Sequence, residues 1–223
     1  MFQYILLDMD GTLTDSMEGI TRCVQYALEA AGRPEPDRKK LLPFIGPPLR
    51  SQFAAWCGYD REKETDKIEF CVSKYRERFR EVGWLENRVY PGMPKLLARL
   101  KAAGKTLAVA TSKPIEFTEK ILEYFELTPY FDVIVGASMD EGRETKYDVI
   151  REVLRRLAAG EEEKARMVMV GDRFHDVEAA KKAGLASIGV TFGYGSREEL
   201  LSYRADRIVD TVEELGEVLL TEE

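Results

Sequence analysis

The sequence contains one histidine, two tryptophans and three cysteines in 223 residues. His175 alone cannot build a zinc cluster with thiols as widely spaced as Cys23, Cys57 and Cys71, and no Cys-x-x-Cys pair is present. An odd number of scattered thiols also argues against a disulfide framework, so all three are read as packing residues in a reducing compartment. No stretch approaches the roughly 20 apolar residues of a membrane helix. The N-terminal apolar run, Tyr4 to Leu7, has no basic region before it and stops at Asp8, too short for a signal peptide. There is no Lys/Arg-rich block, and the net charge is −7, so nucleic acid and anionic membranes are excluded as expected partners. A cytoplasmic protein is expected.

What remains is ordinary globular material, 44% hydrophobic and 33% charged, long enough for one substantial domain with a smaller accessory one. Short apolar runs alternate with helical patterns. Phe2 to Leu7, Thr106 to Ala110, Val133 to Val135, Met167 to Val170, Ser187 to Val190 and Arg207 to Val209 read as strands. Their runs are continuous rather than alternating, which suits strands covered on both faces. Helices are predicted at about Pro94 to Ala103, Ile115 to Phe125, Tyr147 to Ala158 and Asp176 to Ala183, several stopped by glycine. Thr211-Val212-Glu213-Glu214 is a capping-box opening for a last helix. Strand and helix in alternation imply an α/β fold with a doubly wound parallel sheet, Rossmann-like in layout.

One interval breaks the rhythm. From about Ser16 to Gly83 there are helical patterns and no strand: Met17, Ile20, Val24, Ala27, Leu28 and Ala31 recur at helical spacing, and further helices fit Leu49 to Trp56 and Thr65 to Phe79. This reads as an α-helical cap inserted after the first strand, with residues 1–15 and 84–223 forming the catalytic core and 16–83 the cap.

In open α/β sheets ligands sit beyond the carboxyl ends of the strands. Those ends carry Asp8-Met9-Asp10-Gly11-Thr12, then Thr111-Ser112, and Gly171-Asp172 with Asp176 behind, while Lys146 stands near the start of a helix. Acids gathered there would repel one another without a cation among them. Hard carboxylate oxygens, with neither His nor Cys in the set, favour Mg²⁺, which also takes phosphate oxygens as ligands. Phosphoryl chemistry is therefore indicated.

Asp8-Met9-Asp10-Gly11-Thr12-Leu13, Thr111-Ser112, Lys146 and Gly171-Asp172-Arg173-Phe174-His175-Asp176 resemble the four ordered motifs of the haloacid dehalogenase superfamily. The likeness spans almost the whole chain. Within the superfamily it is nearest the phosphoglycolate phosphatase group and 5′-nucleotidase-like members, and the run Gly193-Tyr194-Gly195-Ser196 adds to it. The resemblance implies an Mg²⁺-dependent phosphatase acting on a small phosphorylated metabolite. Asp8 would be the nucleophile and Asp10 the general acid and base, with its backbone carbonyl on the metal. Gly11, Thr12, Thr111, Ser112 and Lys146 would bind the phosphate, Lys146 offsetting its charge. Asp172 would ligate Mg²⁺ directly, and Asp176 would orient ligands and waters around it.

Plainer roles exist for several of these. Thr111-Ser112 could cap the helix that Pro114 opens, Asp176 could be a helix N-cap, and Lys113 rivals Lys146 for the basic role. His175 is read as local packing. Gly46-Pro47-Pro48-Leu49-Arg50 opens a cap helix; Gly46 and Arg50 are candidates for substrate specificity, although a solvent-facing arginine is equally reasonable. A phosphosugar mutase would keep all four motifs. A receiver-type phospho-accepting module also uses acids, Thr and Lys, but is shorter and lacks the second acid. Dehalogenation would not need Asp10. Monomer and homodimer both fit.

Overall fold

The structure, a computed structural model, describes residues 1–138 and 142–221. In chain order its first elements are strand β1 (Tyr4–Leu7) and helices α1 (Met17–Ala30), α2 (Leu49–Cys57), α3 (Thr65–Arg78) and α4 (Met93–Ala102). There follow β2 (Thr106–Pro114), α5 (Ile115–Tyr124), β3 (Val133–Ala137), α6 (Lys146–Arg156), the single turn α7 (Glu161–Lys164) and β4 (Met167–Gly171). The chain ends through α8 (Phe174–Ala183), β5 (Ala186–Val190), α9 (Arg197–Ser202), β6 (Arg207–Val209) and α10 (Val212–Leu220). No helix among the described residues is long and apolar enough to cross a membrane.

The strands form one six-stranded sheet in the order β3-β2-β1-β4-β5-β6. Every neighbouring pair is parallel. This α/β architecture is the one expected. Its strand order reverses direction between β1 and β4, which makes their carboxyl ends a topological switch point. Register aligns those ends: Leu7 is opposite both Val109 of β2 and Val170 of β4. Leu6, Ala108, Val135 and Met169 from the strands pack with Val149 and Val153 of α6 and Ala180 of α8. Burial of each larger aliphatic side chain contributes on the order of 1.5–3 kcal/mol, so the sheet is a stiff base for whatever its strand tips carry.

Chain contacts define two units, Met1–Asp15 with Val89–Glu223, and Ser16–Arg88. The second is helical in its regular elements apart from its last residue, Arg88, which opens a two-residue strand, Arg88–Val89, and it runs past Gly83, the boundary read from sequence. The reason is electrostatic. Arg78 makes a two-point pair with Glu86 at 2.7 and 2.9 Å, and Arg22 of α1 reaches the same carboxylate at 2.8 Å. Residues after Gly83 are thereby held to α1 and α3. A π-helical turn, Phe79–Gly83, continues α3. There Gly19 and Gly83 come so close that a Cβ on Gly19 would lie 2.1 Å from the Gly83 carbonyl oxygen. Phe44 and Phe53 meet edge to face at 5.0 Å in the same unit. Cys23, Cys57 and Cys71 are buried and unbridged, as packing residues would be; burial pushes the Cys71 thiol up to about 11.

Two boundaries in the sheet unit differ usefully from expectation. β2 does not stop at Ala110 but continues to Pro114, with a register shift between Ala110 and Pro114. Helix α8 begins at Phe174, so Arg173 is the N-cap and Asp176 occupies the third helical position instead of capping.

Candidate active site

Asp8 follows β1 directly, and its N–H donates to the Val170 carbonyl at 2.9 Å, carrying the β1–β4 ladder one residue further. The chain then turns back sharply. The N–H groups of Thr12, Leu13 and Thr14 all converge on the Met9 carbonyl, and Gly11 donates to Thr14 at 2.8 Å. Gly11 has φ +82°, a left-handed conformation, and a Cβ there would stand 2.2 Å from Oδ2 of Asp172. Only glycine serves both demands. The tip of β1 therefore touches the residue at the tip of β4.

Lys146 is the first residue of α6, and the start of that helix is set by a capping box. Thr145 accepts from the Asp148 N–H at 3.2 Å while the Asp148 carboxylate accepts from the Thr145 N–H at 3.1 Å. So indexed, the Lys146 side chain is buried with its Nζ 2.7 Å from Oδ1 of Asp8 and 2.9 Å from Oδ1 of Asp176. It also donates to the Ala110 carbonyl at 3.1 Å. Burial opposes the charge on Lys146, but the carboxylates of Asp176 and Asp8 outweigh it and hold the ammonium above the ordinary lysine range. For Asp8, burial pushes the carboxyl up; Lys146 offsets part of that, Asp176 adds to it, and the result is about 6. Burial and the neighbouring Asp176 likewise raise Asp172 well above the usual carboxylate range.

Asp172 sits in a backbone cradle. Its Oδ2 accepts from the Tyr194 N–H at 2.7 Å. A Cβ on Gly193 would be 2.3 Å from the Gly11 carbonyl oxygen, and one on Gly195 1.8 Å from the carbonyl oxygen of Asp172. The glycine spacing of the Gly193-Tyr194-Gly195 run is thus a packing requirement around this acid. Tyr194 also donates its hydroxyl to Asp15 at 2.8 Å. The Asp176 carboxylate accepts from the Arg173 N–H at 3.2 Å through its other oxygen. One oxygen each from Asp8, Asp172 and Asp176 lies within 4.8 Å of the other two. Oδ1 of Asp172 is buried with no hydrogen-bond partner. A buried carboxylate oxygen left over in an all-oxygen cluster fits a hard divalent cation.

The extended β2 explains the rest. Thr111 and Lys113, two residues apart, share a face of the strand where the register shift re-aims side chains. The Thr111 hydroxyl hydrogen-bonds the Asp8 carboxylate and accepts from the Lys113 N–H at 3.2 Å. Lys113 was the rival for the role of Lys146, and it has a separate place: its Nζ donates to both oxygens of Asp10, at 2.8 and 2.7 Å. The Asp10 carboxylate is therefore paired with Lys113 and is not one of the three clustered acids. Ser112 is half-buried and Thr12 wholly buried, its hydroxyl without a hydrogen-bond partner. His175 packs its ring on Phe174, with burial, Arg173 and Lys146 lowering its pKa. Gly46 and Arg50 lie in the helical unit. Gly46 is exposed at φ +100°, and Arg50 forms a two-point pair with Glu69 of α3 at 2.5 and 3.1 Å.

Residues 5–190 match the profile of the family described as haloacid dehalogenase-like hydrolase. A 5′-nucleotidase of Pseudomonas aeruginosa is 42% identical over 96% of this chain and 94% of the relative. The protein named tyrosine-protein kinase PtkA of Mycobacterium tuberculosis is 37% identical over 97% of this chain and 72% of that one. Among solved structures, the crystal structure of a predicted phosphatase from Clostridium acetobutylicum superimposes with a TM-score of 0.90 at 44% identity, covering 99% of both chains.

Proposed function

The chain belongs to the haloacid dehalogenase-like hydrolases and is a phosphatase of small phosphorylated substrates, and we propose that it hydrolyses 5′-nucleoside monophosphates with Mg²⁺ through a phosphoryl group carried on Asp8. The observation that supports the mechanism most is the cluster of Asp8, Asp172 and Asp176, of which Asp8 and Asp176 both pair with the ammonium of Lys146. Lone carboxylates at strand ends need no such arrangement. A nucleophile that must approach a phosphate dianion does, because its own negative charge has to be offset.

In the proposed reaction an oxygen of Asp8 bonds to phosphorus as the ester P–O bond breaks. Asp10 gives its proton to the departing oxygen. Water then attacks phosphorus and hands a proton to Asp10 while the P–O bond to Asp8 breaks, releasing inorganic phosphate. Lys146 and the Thr111 hydroxyl hold the Asp8 side chain in place for the first attack. Asp8 and Asp172, with the main-chain carbonyl of Asp10, would hold Mg²⁺, and Asp176 would steady that set. Bound there, the ion supplies positive charge to the transferring phosphoryl oxygens.

The choice of nucleotide rests on the Pseudomonas relative, which matches nearly end to end. Phosphoglycolate, the likeness drawn from the motifs, is the second candidate. A panel of phosphometabolites with Mg²⁺, ranked by kcat/KM, decides between them: nucleoside monophosphates at the head of the ranking support the proposal, and phosphoglycolate at the head replaces it. A sugar phosphate converted only with a catalytic bisphosphate present would mark a mutase instead. Tyrosine phosphorylation with ATP belongs in the same panel, given the name of the mycobacterial relative.

A further inference from the structure

The turn after β1 fixes the main chain at Asp10 but leaves its two side-chain torsions free. Lys113 is what meets them. Its side chain is 4% exposed and that of Asp10 14%, so the pair is shielded from water. One ammonium engages both carboxylate oxygens, at 2.8 and 2.7 Å. The lysine is itself fixed at its root, because its N–H donates to the hydroxyl of Thr111, which also bonds Asp8. Both residues lie in the stretch of β2 where its register shifts.

We propose that Lys113 is the positioning residue of Asp10, holding the acid–base carboxylate in the one orientation from which it serves the leaving oxygen. The inference rests on the reading of Asp8 as nucleophile and Asp10 as proton donor. Lys146, on α6, and Lys113, on β2, then divide the work by acid. The first neutralises charge around Asp8 and Asp176, and the second holds both oxygens of Asp10.

The leaving group provides the test. An aryl ester such as p-nitrophenyl phosphate departs as a weakly basic oxyanion and needs little proton donation, whereas an alkyl phosphate such as a nucleoside monophosphate needs it fully. Rates are measured for a graded series of aryl and alkyl phosphates with wild type, Asp8→Asn, Asp10→Asn and Lys113→Met. Lys113→Met is expected to lose about a hundredfold in kcat on alkyl esters and only a few-fold on p-nitrophenyl phosphate, following the pattern of Asp10→Asn. Combining the two changes should cost little more than Asp10→Asn alone. Because the aryl-to-alkyl ratio is taken within one preparation, partial loss of folded protein does not alter it. Lys113→Gln is read in the same way should Lys113→Met give no soluble protein. An equal loss on both ester classes overturns the positioning role while leaving Asp8 as nucleophile. Turnover by Asp8→Asn overturns the underlying reading itself.

Discussion

Nζ of Lys146 lies 2.7 Å from Oδ1 of Asp8, a buried ion pair that joins the first residue of α6 to the tip of β1. Since the same ammonium also meets Asp176, its removal strands two carboxylates at once. Breaking a buried pair from one side typically costs about 3–5 kcal/mol. Lys146→Met should therefore lower the urea midpoint strongly at pH 7.5 and abolish turnover. The loss should shrink at pH 5, where the orphaned acids can take up protons. A midpoint unchanged at pH 7.5 would show that the pair holds nothing together.

Asp8 titrates at about 6 in the folded chain against 3.8 for an ordinary aspartate, chiefly because it is buried. Between those values the folded state binds a proton that the unfolded state has released, so this group's contribution to stability declines as pH rises from about 4 to about 6. Asp8→Asn removes the titration. Without added metal, the stability difference between variant and wild type should shift in the variant's favour across that window, by on the order of 3 kcal/mol, on top of a pH-independent cost of parting Asp8 from Lys146. The same variant should keep its circular dichroism spectrum and have no phosphatase activity. A stability difference that stays flat from pH 4 to pH 7 would contradict the assignment.

Divalent cations should reverse this penalty. Binding requires deprotonated carboxylates, so Mg²⁺ should raise the melting temperature more at pH 7 than at pH 5. Asp172→Asn, which alters the acid whose Oδ1 has no partner, should abolish the Mg²⁺ response in thermal melts while leaving the protein folded. A full response in that variant would place the cation elsewhere.

Gly195 faces the carbonyl oxygen of Asp172, with room for no side chain: a Cβ would stand 1.8 Å away. Gly195→Ala should destabilise by about 1–3 kcal/mol through overpacking and weaken the Mg²⁺ response by shifting Asp172. Gly104→Ala is the contrast. Its Cβ would meet nothing within 4 Å, although its φ of +73° still costs some backbone strain, so it should destabilise without affecting the response to metal. Melting curves with and without Mg²⁺ separate the two outcomes.

The fold was legible because its strands are short, largely apolar runs, two of them leading into the acids Asp8 and Asp172, and because glycine or a capping box marks several helix ends. That made Asp8, Asp172 and Lys146 readable as strand-tip or helix-start residues. Other features are set by tertiary contact and left no local trace. The extension of β2 to Pro114 passes through Thr111-Ser112-Lys113, a polar run that reads as a loop. Lys113 consequently showed itself only as a competitor for the role of Lys146. The start of α8 at Phe174 was hidden because Asp176 looks like a cap, whereas its carboxylate works from the third position of the helix. Residues 84–88 join the helical unit through Glu86, whose two arginine partners are distant in sequence or separated by a turn. The glycines around Asp172 were visible as a motif, but their reason lies in the carbonyl oxygens opposite them.

The box formed by Thr145 and Asp148 has one more implication. Thr145 is exposed, and nothing about its own surroundings suggests catalysis. It nonetheless decides which residue of α6 comes first, and hence whether the amine at the end of the buried Lys146 side chain finds its acids. Inactivating changes should therefore include one at a solvent-washed threonine, a position that any search limited to the polar rim would pass over.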